Sequence, residues 1–165
     1  MSIVLSKIII FKMPFGGSIS FGRIIPLAIL SHNQGILSGI SACLLYSFIN
    51  VFLGFKIFPT QNLISYIFVI FLDYILPYIF LGIIFGIKFS KKINLKTNYY
   101  IRTTIFFIFK IIFSTISGAI FWNDYLFFLN NIYIYSFLYN LIYILPELFV
   151  TIVTFDNIIS YIAQK

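Results

Sequence analysis

The feature that most constrains this chain is the run from Gly35 to Phe55, which contains no charged residue. As an α-helix, such a run is long enough to cross a hydrocarbon core about 30 Å thick. Further long apolar stretches cover Asn62–Ile87, Tyr99–Phe121 and Ile132–Phe155. With 61% hydrophobic and 9% charged residues and a mean hydropathy of +1.06, the chain is predicted to be an all-α integral membrane protein.

Two shorter apolar segments precede the four long ones. Phe21–Ser31 would cross a membrane only with help from its neighbours, and Ile3–Met13 would reach only about 16 Å as a helix. We therefore expect a single domain, residues 1–165, that forms a bundle of six membrane segments with a truncated first helix. Met1–Met13 lacks the long apolar core and the cleavage site of a signal peptide, so we interpret it as the remnant of a first helix.

The distribution of charge predicts the orientation of the bundle. Basic residues crowd one stretch between two long segments, namely Lys88, Lys91, Lys92, Lys96 and Arg102. Because cytoplasmic loops carry an excess of Lys and Arg, this stretch is predicted to be a cytoplasmic loop, which accounts for much of the net charge of +7 without a nucleic-acid partner. The loops 56–61 and 123–131 and the glycine-rich segment 16–18 then lie outside, and the C-terminus lies inside.

Three ionisable side chains lie deep in the predicted membrane segments: Asp73, Lys110 and Glu147. Their depths below the external face are about 16, 18 and 22 Å at 1.5 Å per helical residue. Ionisable groups at such depth are costly and commonly functional. The sequence leaves two interpretations open, a structural bridge from Lys110 to either acid, or a role for the acids in holding a ligand.

The fifth predicted helix carries Ser114, Gly118 and Trp122 at i, i+4 and i+8, on one face. The missing side chain at Gly118 would admit either a neighbouring helix or a flat ring, and helix packing is the commoner use. Trp122 also suits an anchor at the membrane interface.

The sixth predicted helix places Tyr135, Tyr139 and Asn140 near the external face, at a level similar to Asp73 and Tyr74. A carboxylate, an amide and several aromatic faces suit a flat, cationic ligand that forms hydrogen bonds. One cation–π contact gives about 0.5 to 2 kcal/mol, whereas nanomolar binding needs about 12 kcal/mol. Several of these groups would therefore have to act together.

The residues for enzyme chemistry or a metal centre are sparse. The chain has one cysteine, Cys43, and one histidine, His32, and it shows no paired carboxylates at one site. We therefore predict that it is not an enzyme and holds no metal or other cofactor.

Five ordered blocks from Lys12 onward resemble a known family. They read MPFGGSIS, IIPLAILSHNQGILSGISA, LDY, SGAIFW and YSFLYN. In order and spacing the chain is similar to the thiamine-specific substrate-binding (S) components, of ThiT or YuaJ type, of energy-coupling factor (ECF) transporters. The resemblance implies a six-helix bundle in a bacterial cell membrane with an outward-facing thiamine site. It also implies that uptake depends on a membrane T component and two ATP-binding-cassette ATPases.

Carried over by position, the resemblance implies which residues contact thiamine. The ligand-binding positions fall on Asp73, Tyr74, Ser114, Gly118, Trp122, Tyr135 and Asn140. A lid loop falls on Phe15, Gly16, Gly17 and Ser18, with Phe15 available to cover the ring. At Ser114 the family usually has a histidine, and serine is too small to sandwich a ring. Two alternatives therefore remain. The chain could be an S component for a related pyrimidine or another vitamin, or a structural membrane subunit without a ligand.

Overall fold

The computed structural model describes residues 1–13, 17–54, 63–87, 94–122 and 131–163, without the side chains of 121–122 and 159–163. Over these ranges the chain forms six helices and two short strands. The helices are α1 (Ser2–Lys7), α2 (Ile25–Gln34), α3 (Ile36–Gly54), α4 (Leu63–Gly86), α5 (Leu95–Trp122) and α6 (Ile132–Ala163). The strands, β1 (Ile9–Lys12) and β2 (Ser18–Ser20), lie between α1 and α2.

The four long helices, α3 to α6, confirm the four predicted long membrane segments. Each is long and apolar enough to cross a membrane. The largest difference from the predicted limits is at the end of α6, which continues beyond Phe155 to Ala163. The chain is therefore an all-α membrane protein in class. The count of six membrane segments is approximate, because α1 and α2 are both short.

The N-terminal segment differs from the expected remnant of a helix over Ile3–Met13. Only α1 is helical there, and β1 then pairs antiparallel with β2, with Ile9 opposite Ser20 and Lys12 opposite Ser18. The run of isoleucines at 8–10 explains the change, because β-branched side chains fit an extended backbone better than a helix.

The segment that follows the glycine-rich loop packs against α6. A Cβ on Gly17 would lie 2.8 Å from the ring of Tyr143, and a Cβ on Gly22 would lie 3.4 Å from Thr154. The two contacted residues are eleven positions apart on α6, so residues 17–22 follow this helix over part of its length.

The predicted cytoplasmic loop is shorter than expected, since α5 begins at Leu95. Arg102 lies within α5 and is almost fully buried, and its guanidinium donates to the carbonyl oxygens of Phe85 and Ile87, both at 2.7 Å. These bonds satisfy carbonyls that the end of α4 leaves without helical partners. Residues 88–93, 55–62 and 123–130, which contain the other predicted loops, lie outside the described ranges.

Close backbone contact between α3 and α4 centres on two glycines. A Cβ on Gly82 would lie 2.8 Å from the carbonyl carbon of Gly39 and 2.8 Å from the backbone nitrogen of Ile40. Cys43, one turn after Gly39, is fully buried. The small residues of α3 and α4 at this level therefore serve packing within the bundle, because positions without a side chain let helices approach closely.

Replacing Gly82 with alanine should separate α3 from α4, because backbone atoms cannot move aside as a flexible side chain can. We expect a loss of about 1 to 3 kcal/mol in the free energy of unfolding, measured as a lower thermal transition by circular dichroism in detergent. Ser41→Ala, at an exposed position on α3, is the control and should unfold like the wild type. An unchanged transition for Gly82→Ala would contradict this close packing.

Candidate functional site

Asp73 lies in a π turn, Phe71–Ile75, that interrupts α4. The backbone N–H of Leu76 donates to the carbonyl oxygen of Phe71, five residues earlier. Pro77 explains the irregularity, because it has no N–H to donate to the carbonyl of Asp73 and its ring crowds that carbonyl. The extra residue in the turn changes the direction in which the Asp73 side chain leaves the helix, and such turns are frequent at functional sites.

The two oxygens of the Asp73 carboxylate have different surroundings. Oδ2 accepts a hydrogen bond of 2.8 Å from the hydroxyl of Ser117, a fully buried residue of α5. The side chain of Ser114, one turn earlier, lies near the same carboxylate. Oδ1 is buried and has no hydrogen-bond partner among the described residues. A buried acceptor without a partner is costly, so this oxygen is a candidate for contact with a ligand.

Asn140, the amide predicted to read a heterocycle, connects α5 to α6 in this structure. Its Nδ2 donates to the carbonyl oxygens of Ser114 at 2.9 Å and Ser136 at 2.8 Å. Its Oδ1 accepts from the hydroxyl of Tyr143 at 2.7 Å. Both amide hydrogens are therefore used within the protein. Oδ1 is the atom of this side chain that can form one more hydrogen bond, as an acceptor.

Gly118 provides the close approach of α6 to α5. A Cβ at this position would collide with the hydroxyl of Ser136 and lie 3.6 Å from Nδ2 of Asn140. The Ser136 hydroxyl in turn donates to the carbonyl oxygen of Thr115 at 2.8 Å. Of the two uses considered for this glycine, the structure shows the contact with a neighbouring helix.

Three tyrosines of α6 form a series of ring contacts beside this region. The rings of Tyr135 and Tyr139 are stacked with centroids 6.2 Å apart, and those of Tyr139 and Tyr143 meet edge to face at 6.2 Å. Tyr143 was not singled out in the sequence, although its spacing of three from Asn140 places it on the same helix face. Tyr74, next to Asp73, is partly buried in α4.

Glu147 is neutralised by two cations at the centre of the bundle. Its carboxylate lies 2.6 Å from Nζ of Lys110 and 2.7 Å from Nε of Arg23, and it accepts a third contact of 3.1 Å from the hydroxyl of Ser20. Of the two interpretations left open by the sequence, the structure shows the bridge from Lys110, with Glu147 as its acid. The sequence analysis did not predict Arg23 and Ser20 as partners of Glu147, although both closely follow the glycine-rich segment 16–18.

The predicted lid is described only in part. Gly17 has φ of 81°, a backbone conformation that side chains other than glycine rarely adopt, and it packs against the ring of Tyr143. Ser18 begins β2. Phe15 and Gly16 lie outside the described residues, as does the side chain of Trp122.

The structure therefore brings together parts of α4, α5, α6 and the glycine-rich segment around Asp73, Ser114, Asn140 and Tyr143. A family model described as thiamine transporter protein matches residues 1–164. The chain belongs to the thiamine transporter protein family. It is accordingly a multi-pass membrane transporter rather than an enzyme. Searches of curated proteins and of solved structures found no match to the chain.

Removing the negative charge at Glu147 should destabilise this transporter strongly. Glu147→Gln leaves Arg23 and Lys110 buried without an acid between them, and breaking a buried ion pair in this way costs about 3 to 5 kcal/mol. We expect a low yield of monodisperse protein and a lower thermal transition in detergent.

Lys110→Met is the matched comparison, because it leaves the one-to-one pair of Arg23 with Glu147. This variant should lose less stability than Glu147→Gln. Equal stability of the two variants would show that the shared carboxylate does not organise the cluster.

Proposed function

We propose that this chain is the substrate-binding (S) component of an ECF importer and that it binds thiamine in the region around Asp73. The observation that carries the proposal is the buried Oδ1 of Asp73, which has no hydrogen-bond partner among the described residues. An N–H group of a ligand would satisfy this oxygen, and the 4-amino group of the thiamine pyrimidine is such a donor. Membership of the thiamine transporter family supports this choice of ligand.

The distribution of buried charge also supports a cationic ligand near Asp73. Both Arg23 and Lys110 are paired with Glu147, and no ion pair to Asp73 is found among the described residues. The thiazolium ring of thiamine has a fixed positive charge, which lowers the cost of keeping a carboxylate at this depth. The aromatic faces of Tyr135 and Tyr139 offer further cation–π and stacking surface.

In this mechanism the protein makes and breaks no covalent bond. Oδ1 of Asp73 accepts a hydrogen bond from the amino group of the pyrimidine. Oδ1 of Asn140 accepts a further hydrogen bond from the ligand. Trp122 and the tyrosines of α6 stack on the rings, while residues 15–18 cover the occupied site from the predicted external side. We propose thiamine as the main ligand. Because Ser114 is small, it leaves room beside the ring, and we therefore propose that related pyrimidines compete for the site.

Thiamine should quench the fluorescence of Trp122, the only tryptophan of the chain, in a saturable way. We expect Asp73→Asn to weaken binding by about 30-fold or more, because removing one member of a buried hydrogen-bonded charge pair costs at least about 2 kcal/mol. Affinity is to be measured by equilibrium dialysis with radiolabelled thiamine on the purified chain in detergent.

The matched control is Asp156→Asn, which removes a half-exposed acid that pairs with Lys96 near the other end of α6. This variant should bind as the wild type does. A wild type that binds no thiamine would favour a structural subunit. Displacement of thiamine by riboflavin or biotin, but not by hydroxymethylpyrimidine, would assign a different vitamin.

The S-component role predicts that this chain cannot accumulate thiamine alone, because in that role the ATPases are separate subunits. Co-expressed with an ECF T component and two ATPases in bacterial cells, the tagged chain should co-purify with them and support ATP-dependent uptake. The predicted cytoplasmic C-terminus should then be accessible only from the inner side of the membrane. Concentrative uptake by the chain without these partners would contradict this role.

A further inference from the structure

Ser117 was not among the predicted site residues, yet its hydroxyl donates a hydrogen bond of 2.8 Å to Oδ2 of Asp73. It lies three residues after Ser114 and one before Gly118, on the face of α5 that meets α4. Ser117 is fully buried, so water cannot replace its hydroxyl. Its contact with Asp73 therefore fixes one end of the carboxylate.

The consequence is an asymmetric acceptor. The Ser117 hydroxyl occupies Oδ2, and Oδ1 is left buried without a partner among the residues that the structure describes. The π turn sets where the side chain leaves α4, and the bond to Ser117 limits rotation of the carboxylate. A ligand thus meets one acceptor oxygen in a fixed position instead of a freely turning carboxylate.

We propose that Ser117 is a positioning residue that makes the site selective for an amino group over an oxo group at the position facing Oδ1. An amino N–H satisfies that oxygen, whereas a carbonyl oxygen there places two acceptors in contact. This inference rests on the proposed function, because it assumes that the pyrimidine of thiamine is the group that faces Asp73.

The test compares thiamine with oxythiamine, in which an oxo group replaces the 4-amino group of the pyrimidine. Dissociation constants for both probes are measured by Trp122 fluorescence on the full chain in detergent. The readout is the ratio of the two constants, because a variant that only loosens the fold weakens both ligands alike and leaves the ratio unchanged.

The wild type should prefer thiamine, and Ser117→Ala should reduce that preference about tenfold, since the freed carboxylate can turn to relieve contact with the oxo group. Ser117→Thr keeps the hydroxyl and should retain the wild-type ratio. If the alanine variant does not fold, Ser117→Cys, which has similar size and a weak donor, should shift the ratio in the same direction.

Ser47→Ala is the matched control, because Ser47 is equally buried but its hydroxyl donates to the carbonyl oxygen of Cys43 within α3. This variant should leave the ratio unchanged. A wild-type ratio in both Ser117→Ala and Ser117→Cys, with thiamine still bound, would overturn the role of Ser117 alone. Absence of thiamine binding by the wild type would instead overturn the proposed function.

Discussion

Glu147 is the point at which three separate parts of the chain meet at the centre of the bundle. Its carboxylate lies 2.6 Å from Lys110 of α5. It also lies 2.7 Å from Arg23 and 3.1 Å from Ser20, two residues that follow the glycine-rich segment. Removing such ions from water costs several kcal/mol each unless partners replace the lost hydration. Here the partners come from distant parts of the sequence, so the cluster forms only when those parts are assembled. It therefore fixes the segment from Ser20 to Arg23 against α5 and α6.

The same cluster separates the roles of the two deep acids. Because Glu147 takes both nearby cations, Asp73 is left with a hydroxyl contact on one oxygen and none on the other among the described residues. Two carboxylates at similar depth thus differ in what they can do: one stabilises the assembly, and the other can accept a hydrogen bond from outside the protein. This division is the physical basis on which a binding site near Asp73 can be distinguished from an ordinary buried ion pair.

Sequence alone predicted the four long spans, because an uncharged apolar run long enough to cross a bilayer has few other stable structures. It also predicted polar residues on three helices, among them Asp73 and Asn140, and the structure brings these helices together. Three features were beyond it. The pairing of Arg23 with Glu147 joins residues far apart in the chain, and no local pattern encodes it. The π turn before Pro77 disturbs periodicity over too few residues to be read. Arg102 was assigned to a loop by its charge, although its guanidinium is held by the carbonyls that end α4.

The π turn of α4 makes the position of Asp73 depend on the number of residues as well as on their chemistry. Residues 71–75 form a wider turn than the α-helix on either side. Deleting one residue there would rotate everything on one side of the turn by about 100° relative to the other side. The carboxylate would then face a different neighbour with no change in its identity. When other sequences are compared with this one, the interval between the acid and the following proline is therefore as informative about the ligand as the acid itself.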